Sequence, residues 1–565
     1  MGAKRVADPQ DEGDAGEDAT VRERDLVEAY VQEHALETAL NEAINQVVAA
    51  RPEDPFLVLS ALLYGKATAR RGIFHVECRE IIDGLGLPGV LVRLHTGKGV
   101  FEATSGSQVA GRPDRPESFD EFAPTKQRFG GQGYRLRAEK AQAMLAESLV
   151  NLEPTDQQAI DAALRLVEAD IGRNFCLAAS IAACKAGSRY AELPLHEYIS
   201  KLSELPLENV CIPMPLFSLI NAGKLASNKL FVQEIFVAPV SATSFADAFQ
   251  LGVELSRSVR DQLESRGVGF SNLGSFGGYA PQLQTIAETF QILRSAIEET
   301  RARIESSANP SALLLDNASV TPLRFEFGID FAASAFVTPL PPPPPTADDT
   351  ETIEEARTTF TYDTDKWVPG SSGVIKSSDE MLEMIQSCVK ELDVATVVDP
   401  FDGGDIKAFA ALLAGDSDAP TDESGGEAPG EATGGQRLAL GGDPDCRLQV
   451  VARDLVDAHG LEALHEERAA NTILLQLEQV STVTKALEMV AEARRYGLAV
   501  MLGATPGDAS TETAGFLVAF AIGTGISQVK FGGLAASACV DRYNRLLLAS
   551  QDAVPPIFVA SSYRR

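Results

Sequence analysis

Apolar side chains recur at intervals of three and four residues near the start of the chain. The first stripe contains Leu26, Tyr30, Leu36, Leu40, Ala43, Ile44, Val47 and Val48. This spacing places apolar side chains on one face of helical segments. Pro52 and Pro55 interrupt the stripe, and Asp54 is placed to cap a second helix. The apolar positions of that helix are Phe56, Leu59, Leu62 and Leu63. The pattern predicts a helical hairpin over residues 21–65.

From residue 72 onward, short apolar runs alternate with helical stretches. The runs are rich in β-branched and aromatic residues and lie at 324–334, 394–401, 448–455, 472–479, 497–504 and 526–533. Helical patterns lie between them, for example at 378–392 and 483–495. Such alternation is typical of parallel strands joined by crossover helices. The fold class is therefore predicted to be α/β.

Three segments break these patterns. Residues 1–20 are acidic and poor in apolar side chains, so we expect a flexible tail. Residues 338–360 are Pro-rich, with a run of prolines at 341–345 that favours polyproline II, and residues 415–437 are acidic and Gly-rich. The last two are interpreted as surface insertions, with binding segments as the alternative.

Composition narrows the function classes. The chain has 565 residues, is 45% hydrophobic and carries a formal net charge of −31. A surface this acidic repels phosphate backbones and anionic lipid, so we expect no nucleic-acid partner and no membrane partner. Seven scattered cysteines and an N-terminus without an apolar run predict a cytoplasmic protein with reduced thiols. Six histidines show no metal or triad spacing, and no role is assigned to them.

The hairpin carries a first resemblance. The stretch YVQEHALETALNEAINQVVAARPEDPFLVLSALL resembles the dimerisation and docking domain of the RII-alpha type. The resemblance implies a homodimer whose apolar surface binds amphipathic helices of anchoring or axonemal proteins. The expected docking residues are Leu36, Leu40, Ile44, Val47, Phe56, Leu59 and Leu63. The alternative is a helical extension that packs on the main body.

The rest of the chain carries a second resemblance. The segments IPMPLFSLINAGKLASNKLFVQEIFVAP, GSFGGYAP, FGIDFAASAF, VVDPF, VARDL, TILLQLEQ and QVKFGG are similar, in this order, to the strands and loops of enolase, which dehydrates 2-phosphoglycerate. ECREIIDGLGLPGVLV and FEATSGS resemble the N-terminal domain of that family. The resemblance implies an α+β N-terminal domain over residues 72–205. An enolase-type (β/α)8 barrel follows over residues 210–555.

The catalytic positions depart from the family pattern. The enolase reaction needs a base that removes an α-proton and an acid that expels hydroxide. The resemblance places the base at Gln476 and the acid at Phe276, and neither side chain can perform its role. Glu234 and Lys530 are remnants of the family's site, and a buried Lys530 paired with Asp330 has a purely structural interpretation.

The metal positions are also depleted. Of the three carboxylates that the family uses for magnesium, only Asp330 is retained, and the other two positions hold Val398 and Arg453. A single carboxylate holds a hard dication poorly, and an arginine repels it. No cofactor is therefore expected, and Mg2+ is implied only if the protein is an enzyme.

These expectations combine into one hypothesis and two alternatives. The hypothesis is a catalytically inactive enolase-like structural protein that uses its docking hairpin in a flagellar axoneme, since the domain combination resembles the enolase-like paralogues of sperm and flagella. The first alternative is a divergent phosphopyruvate hydratase, acting in glycolysis and localised by the hairpin. The second is a sensor that binds a small anion at Lys530 without turnover.

Overall fold

The computed structural model describes most of the chain in seven stretches. They are residues 27–68, 72–106, 128–204, 211–306, 315–337, 360–417 and 448–552, apart from positions 132, 224, 225, 227, 317, 318, 321, 322, 367, 369 and 508–510, with 557–559 and 564 in addition. The expected acidic tail lies outside the described residues, as do nearly all of the Pro-rich insertion and of the acidic Gly-rich insertion.

The N-terminal region forms the helices that its apolar spacing predicts. A short helical segment at 27–33 is followed by α1 (Leu36–Ala50) and α2 (Pro55–Thr68). Asp54 caps α2 as expected, because its Oδ1 accepts a hydrogen bond of 3.0 Å from the Leu57 amide. The two helices contact each other, and we refer to this pair as the hairpin.

The next domain combines a small sheet with four helices. Its strands are β1 (Ile73–Ile82), β2 (Pro88–Thr96) and β3 (Gly99–Ser105), which pair antiparallel in that order. Its helices are α3 (Arg135–Leu149), α4 (Gln157–Ile171), α5 (Arg173–Ala191) and α6 (Leu195–Leu202). Helix α5 is almost wholly buried, since its many alanines let β2, β3 and α4 pack closely around it.

The third unit is a closed barrel of eight strands. The strands are β4 (Met214–Asn221), β5 (Glu234–Ala238), β6 (Glu326–Asp330), β7 (Val394–Val398), β8 (Gln449–Ala452), β9 (Thr472–Gln476), β10 (Ala499–Gly503) and β11 (Gln528–Gly532). The helices are α7 (Phe245–Arg266), α8 (Ile286–Glu305), α9 (Ser378–Leu392), α10 (Ile406–Ser417), α11 (Asp454–Glu466), α12 (Val483–Arg495), α13 (Thr511–Gly523) and α14 (Ser537–Asp552). The described residues also form three short strand pairs, Cys211–Ile212 with Ile557–Phe558, Leu315–Asp316 with Ser319–Val320, and Thr361–Asp363 with Ile375–Ser377. Three 3-10 helices lie at Arg128–Gly131, Ala333–Phe336 and Leu477–Gln479.

The barrel departs in one respect from the parallel order that the alternation predicts. Strand β5 runs antiparallel to both of its neighbours, β4 and β6. The described part of the connection 222–233 contains no α-helix, and without a crossover helix the chain returns antiparallel to β4. Helices α7 and α8 then follow each other between β5 and β6. As a result, Glu234 at the start of β5 lies at the same end of the barrel as the carboxyl ends of the other strands.

Apolar side chains fill the barrel interior. They form a buried cluster of Met214, Leu216, Phe236, Ala238, Val398, Val451, Leu474 and Met501.

In the described part of the chain, no helix has the length and apolar character needed to cross a membrane.

Candidate functional site

The strand ends bring the expected site residues together at one mouth of the barrel. Glu234 pairs in register with Asp330, and Asp330 pairs with Val398 on the next strand. On the other side, Gly503 pairs with both Gln476 and Lys530. The strand register thus brings these residues together at one mouth, which we call the barrel mouth.

Lys530 is held by two carboxylates in the barrel mouth. Its Nζ donates a hydrogen bond to Glu234 Oε1 and a second one of 2.9 Å to Asp330 Oδ2. All three side chains are buried. Burial by itself would lower the pKa of Lys530, but the Asp330 and Glu234 carboxylates outweigh it and raise that pKa. The amine is therefore protonated at neutral pH and cannot act as a base.

Arg453 lies in the barrel mouth beside a second pair of carboxylates. Its guanidinium forms an ion pair of 3.0 Å with Asp399 and another of 3.0 Å with Asp454. Asp399 Oδ1 also accepts hydrogen bonds of 2.8 and 3.2 Å from the amides of Arg453 and Asp454. Burial would lower the pKa of Arg453, yet Asp454, Asp399 and Asp330 raise it above its ordinary value. A permanent cation thus occupies the mouth.

The barrel mouth holds more buried carboxyl groups than buried cations. Four carboxylates, Glu234, Asp330, Asp399 and Asp454, face the two cations Lys530 and Arg453. Burial raises the pKa of Glu234 and raises that of Asp399 to about 7. Both carboxyl groups therefore bind a proton more readily than exposed carboxyl groups do.

The residues present do not fit magnesium. A magnesium ion needs a near-octahedral set of oxygen ligands. Val398 supplies none and packs in the apolar interior, while Arg453 brings a positive charge. Among the described residues, no three of the barrel carboxylates bring ligand atoms within 4.8 Å of one another. Three buried carboxylate oxygens of the barrel mouth, Asp330 Oδ1, Glu234 Oε2 and Asp399 Oδ2, accept no hydrogen bond, and the last of them lies in the ion pair with Arg453.

The positions of the acid and the base are occupied by groups that exchange no proton at neutral pH. Gln476 is buried at the end of β9, where its amide has no useful basicity. Phe276 is also buried, and its ring centre lies 5.1 Å from Lys530 Nζ. This distance is typical of a cation–π contact. The ring therefore helps to keep Lys530 charged and adds no proton donor.

A cavity of about 530 Å³ lies beside the charged cluster but does not reach it. Phe276 lines this cavity, whereas Glu234, Asp330, Arg453 and Lys530 do not. Because Phe276 also contacts Lys530, its ring lies between the cavity and the buried charges. A ligand in the cavity would meet this ring before it could reach Glu234 or Asp330.

The resemblance to enolase aligns residues 503–508 with the family's phosphate-binding loop, and part of this loop also borders the cavity. Ala504, Thr505 and Pro506 line the cavity and contribute no guanidinium. The resemblance also aligns Leu225 with a loop histidine of the family and Gln108 with a lid-loop serine, and these two residues and Asp508 lie outside the described residues. The described part of the loop can thus offer a hydroxyl and backbone groups, which is a weak set for a dianion.

The hairpin presents a second candidate site. Helix α1 exposes four apolar side chains at spacings of four residues, and α2 exposes two more. We call this set, Leu36, Leu40, Ile44, Val48, Phe56 and Leu57, the hairpin surface. Leu59 and Leu63 are partly buried. Val47, a member of the expected docking set, lies on the same face of α1 by helical spacing, but it is only 8% exposed.

Sequence reasoning missed two arrangements. It treated Arg453 only as the loss of a ligand, although the same side chain neutralises Asp399 and Asp454. It also assigned no role to the histidines, yet His75 and His95 face each other across β1 and β2. The alternation of His75 and Glu77 along a strand was the available signal for the second arrangement.

Comparison with known proteins identifies relatives of the whole body. The family model described as "Enolase, N-terminal domain" matches residues 73–199. The family model described as "Enolase, C-terminal TIM barrel domain" matches residues 209–313 and 439–554. "Cytosolic enolase 3" of Arabidopsis thaliana is 27% identical over 544 residues, covering 93% of this chain and 96% of the relative. "Enolase" of Eimeria tenella is 28% identical over 492 residues, covering 84% of this chain and 94% of the relative.

Proposed function

The chain belongs to the enolase superfamily, and from this premise we propose a catalytically inactive structural member that docks partner proteins through its hairpin. The observation that carries the proposal is the buried Arg453, which is paired with Asp399 and Asp454 in the barrel mouth. A fixed guanidinium there opposes the dication on which the family's chemistry depends.

The remaining chemistry is absent at the same mouth. Gln476 and Phe276 cannot move the protons that the reaction requires, and Lys530 is held in its charged form by two carboxylates. Loss of a general base alone costs about 10²–10⁴-fold in rate. Losses of groups that act together do not multiply, but with base, acid and metal ligands missing together we expect no measurable turnover.

A dehydration assay tests the inactivity. The purified chain is mixed with 2-phosphoglycerate and millimolar magnesium, and the absorbance of phosphoenolpyruvate is followed beside an active enolase. We expect no rate above background. A rate that disappears in the Lys530→Met variant would overturn the proposal, whereas a rate that survives in this variant comes from a contaminating enzyme.

The hairpin surface supports the docking part of the proposal. Ile44 is 46% exposed and Val48 is 64% exposed, on a helix whose Ala43 and Val47 are buried. An apolar stripe of this kind matches the packing of a helix dimer and of a groove that binds amphipathic helices. We propose that two chains pair through the hairpin and bind an amphipathic helix of an anchoring or axonemal protein.

The oligomeric state tests the pairing on the full chain. Leu40→Asp together with Ile44→Asp places two charges on the hairpin surface, and Leu166→Asp is the matched control at an apolar side chain that is 83% exposed elsewhere. By light scattering after size exclusion, the wild type and the control should be dimers and the double variant a monomer. A monomeric wild type would show that the hairpin does not pair chains.

The proposed location is the axoneme of a flagellum. Its support is the resemblance of the hairpin to docking domains, in combination with an enolase-like body. The plant relative leaves only 7% of this chain unaligned, so its alignment reaches into the residues before 73. Antibody labelling of flagellated cells that express the chain should stain the axoneme, and staining confined to the cytosol would contradict this location.

The second candidate is a divergent phosphopyruvate hydratase. Two observations favour it, namely the retained Lys530, Glu234 and Asp330 and the names of both relatives. It requires magnesium at Asp330, so magnesium and substrate together should raise the melting temperature of the protein. The dehydration assay separates the two candidates directly. Tight binding of a small anion without product would instead support a sensor.

A further inference from the structure

A cluster of nitrogen and oxygen ligands lies on the N-terminal sheet, far in sequence from the barrel mouth. His75 and Glu77 occupy alternate positions of β1 and therefore share a face, whereas Val76 and Cys78 point into the core. His95 pairs in register with His75 on the neighbouring strand β2. The register thus brings two imidazoles and one carboxylate together on the outer face of the sheet.

The distances suit coordination of a metal ion. One ligand atom from each of His75, Glu77 and His95 lies within 4.8 Å of the other two. His95 Nε2 is 2.9 Å from Glu77 Oε1, and the two imidazole ring centres are 5.0 Å apart. Bonds of about 2.0–2.2 Å to one tetrahedral ion place the ligand atoms roughly 3.4 Å apart, so atoms separated by up to 4.8 Å must approach each other when an ion binds. His75 is exposed and His95 is partly buried, so small side-chain rotations can close the gap.

The neighbouring charges orient the carboxylate. Arg79 contacts Glu77 Oε2 at 2.9 Å, which leaves Oε1 directed towards His95. Arg93 lies 3.9 Å from Glu77 but forms its closer ion pair, 2.6 Å, with Glu102.

We propose that His75, Glu77 and His95 form a surface site for one zinc-like divalent ion. Two imidazoles and one carboxylate suit Zn2+, Co2+ and Ni2+, whereas the hard ions Mg2+ and Ca2+ prefer oxygen ligands alone. Water completes the coordination on the solvent side. The bound ion cross-links β1 and β2. Among the described residues, no other group of three His, Cys, Asp or Glu side chains meets the same spacing.

The experiment is a metal titration of the full chain. Zn2+ binding is measured by calorimetry in a buffer that does not chelate metals, and Co2+ is added in parallel because its visible absorption reports imidazole and carboxylate ligation. The variants are His75→Ala, His95→Ala and Glu77→Gln, with His459→Ala as the control at an exposed histidine. A circular dichroism spectrum of each variant establishes that it is folded.

The expected result is one Zn2+ per chain at this site. Each of the three variants should weaken binding by roughly 10-fold or more, since even outer-shell partners change metal affinity by 10–100-fold. His459→Ala should bind as the wild type does, and millimolar Mg2+ should not compete. The proposal is overturned if the wild type binds no Zn2+, or if His75→Ala and His95→Ala bind it as tightly as His459→Ala.

Discussion

Replacement of Arg453 by methionine tests whether this side chain stabilises the barrel mouth as an internal cation. Methionine keeps a long, flexible side chain but removes the guanidinium that pairs with Asp399 and Asp454. Asp399 is fully buried and Asp454 is 9% exposed. Removal of one partner from a buried ion pair costs about 3–5 kcal/mol, because the other charge stays buried without compensation. We expect a loss of this size in the free energy of unfolding.

The loss should depend on pH in a defined direction. Burial raises the pKa of Asp399 to about 7 in the folded protein, whereas an aspartate in an unfolded chain titrates near 3.9. The folded protein binds this proton more tightly than the unfolded chain, so protonation of Asp399 stabilises the fold. This stabilisation is fully present below about pH 4 and is lost as the pH rises through 7. At pH 8, Asp399 in the variant is either charged without a counter-ion, or it takes up a proton at a pH where protonation costs free energy. The loss should thus be larger at pH 8 than at pH 5.5.

Urea unfolding followed by circular dichroism at both pH values gives the measurement. Arg495→Met is the matched control, because Arg495 has 74% of its side chain exposed and lies 3.8 Å from Glu492. A surface pair of this kind contributes about 0–1 kcal/mol. If Arg453→Met lost no more stability at pH 8 than Arg495→Met, the role of Arg453 as an internal cation would be refuted.

Three further results follow from the same structure. Gln476→Lys alone should not restore dehydration of 2-phosphoglycerate, because Phe276 and Arg453 still replace the acid and a metal ligand; recovery in that assay would contradict the site described here. Millimolar Mg2+ should not raise the melting temperature measured by scanning calorimetry, since an ion that does not bind cannot stabilise the fold; a clear rise would show a working metal site. Asp54→Ala should weaken the first turn of α2 by about 1 kcal/mol through loss of its cap, seen as faster amide hydrogen exchange there, whereas Glu53→Ala should leave this exchange unchanged.

The sequence by itself determined the order of the units and the local features of each. The spacing of apolar residues predicted both helices of the hairpin, and Asp54 before Pro55 predicted the cap that the structure shows. These features depend on residues a few positions apart, so the pattern contains the information. The motifs ordered along the chain also placed Gln476 and Phe276 at the barrel mouth.

Only the tertiary structure decided how side chains from distant segments combine. Val47 belongs to the apolar stripe of α1 by spacing, but packing of the hairpin buries it. Strand β5 runs antiparallel although the alternation of strands and helices predicted a parallel barrel. Both outcomes depend on which surface an element meets, and periodicity along a single element does not specify that surface.

The charged and metal-binding side chains show most clearly what the sequence determined and what the tertiary structure decided. From the sequence, Arg453 was a lost ligand and His75 was an isolated histidine. In the folded chain, Arg453 neutralises Asp399 and Asp454, and His75 lies opposite His95. Coulombic energy and metal coordination depend on distances of a few ångström and on burial. Strand register and the closure of the barrel set those distances, and neither is encoded at any single position.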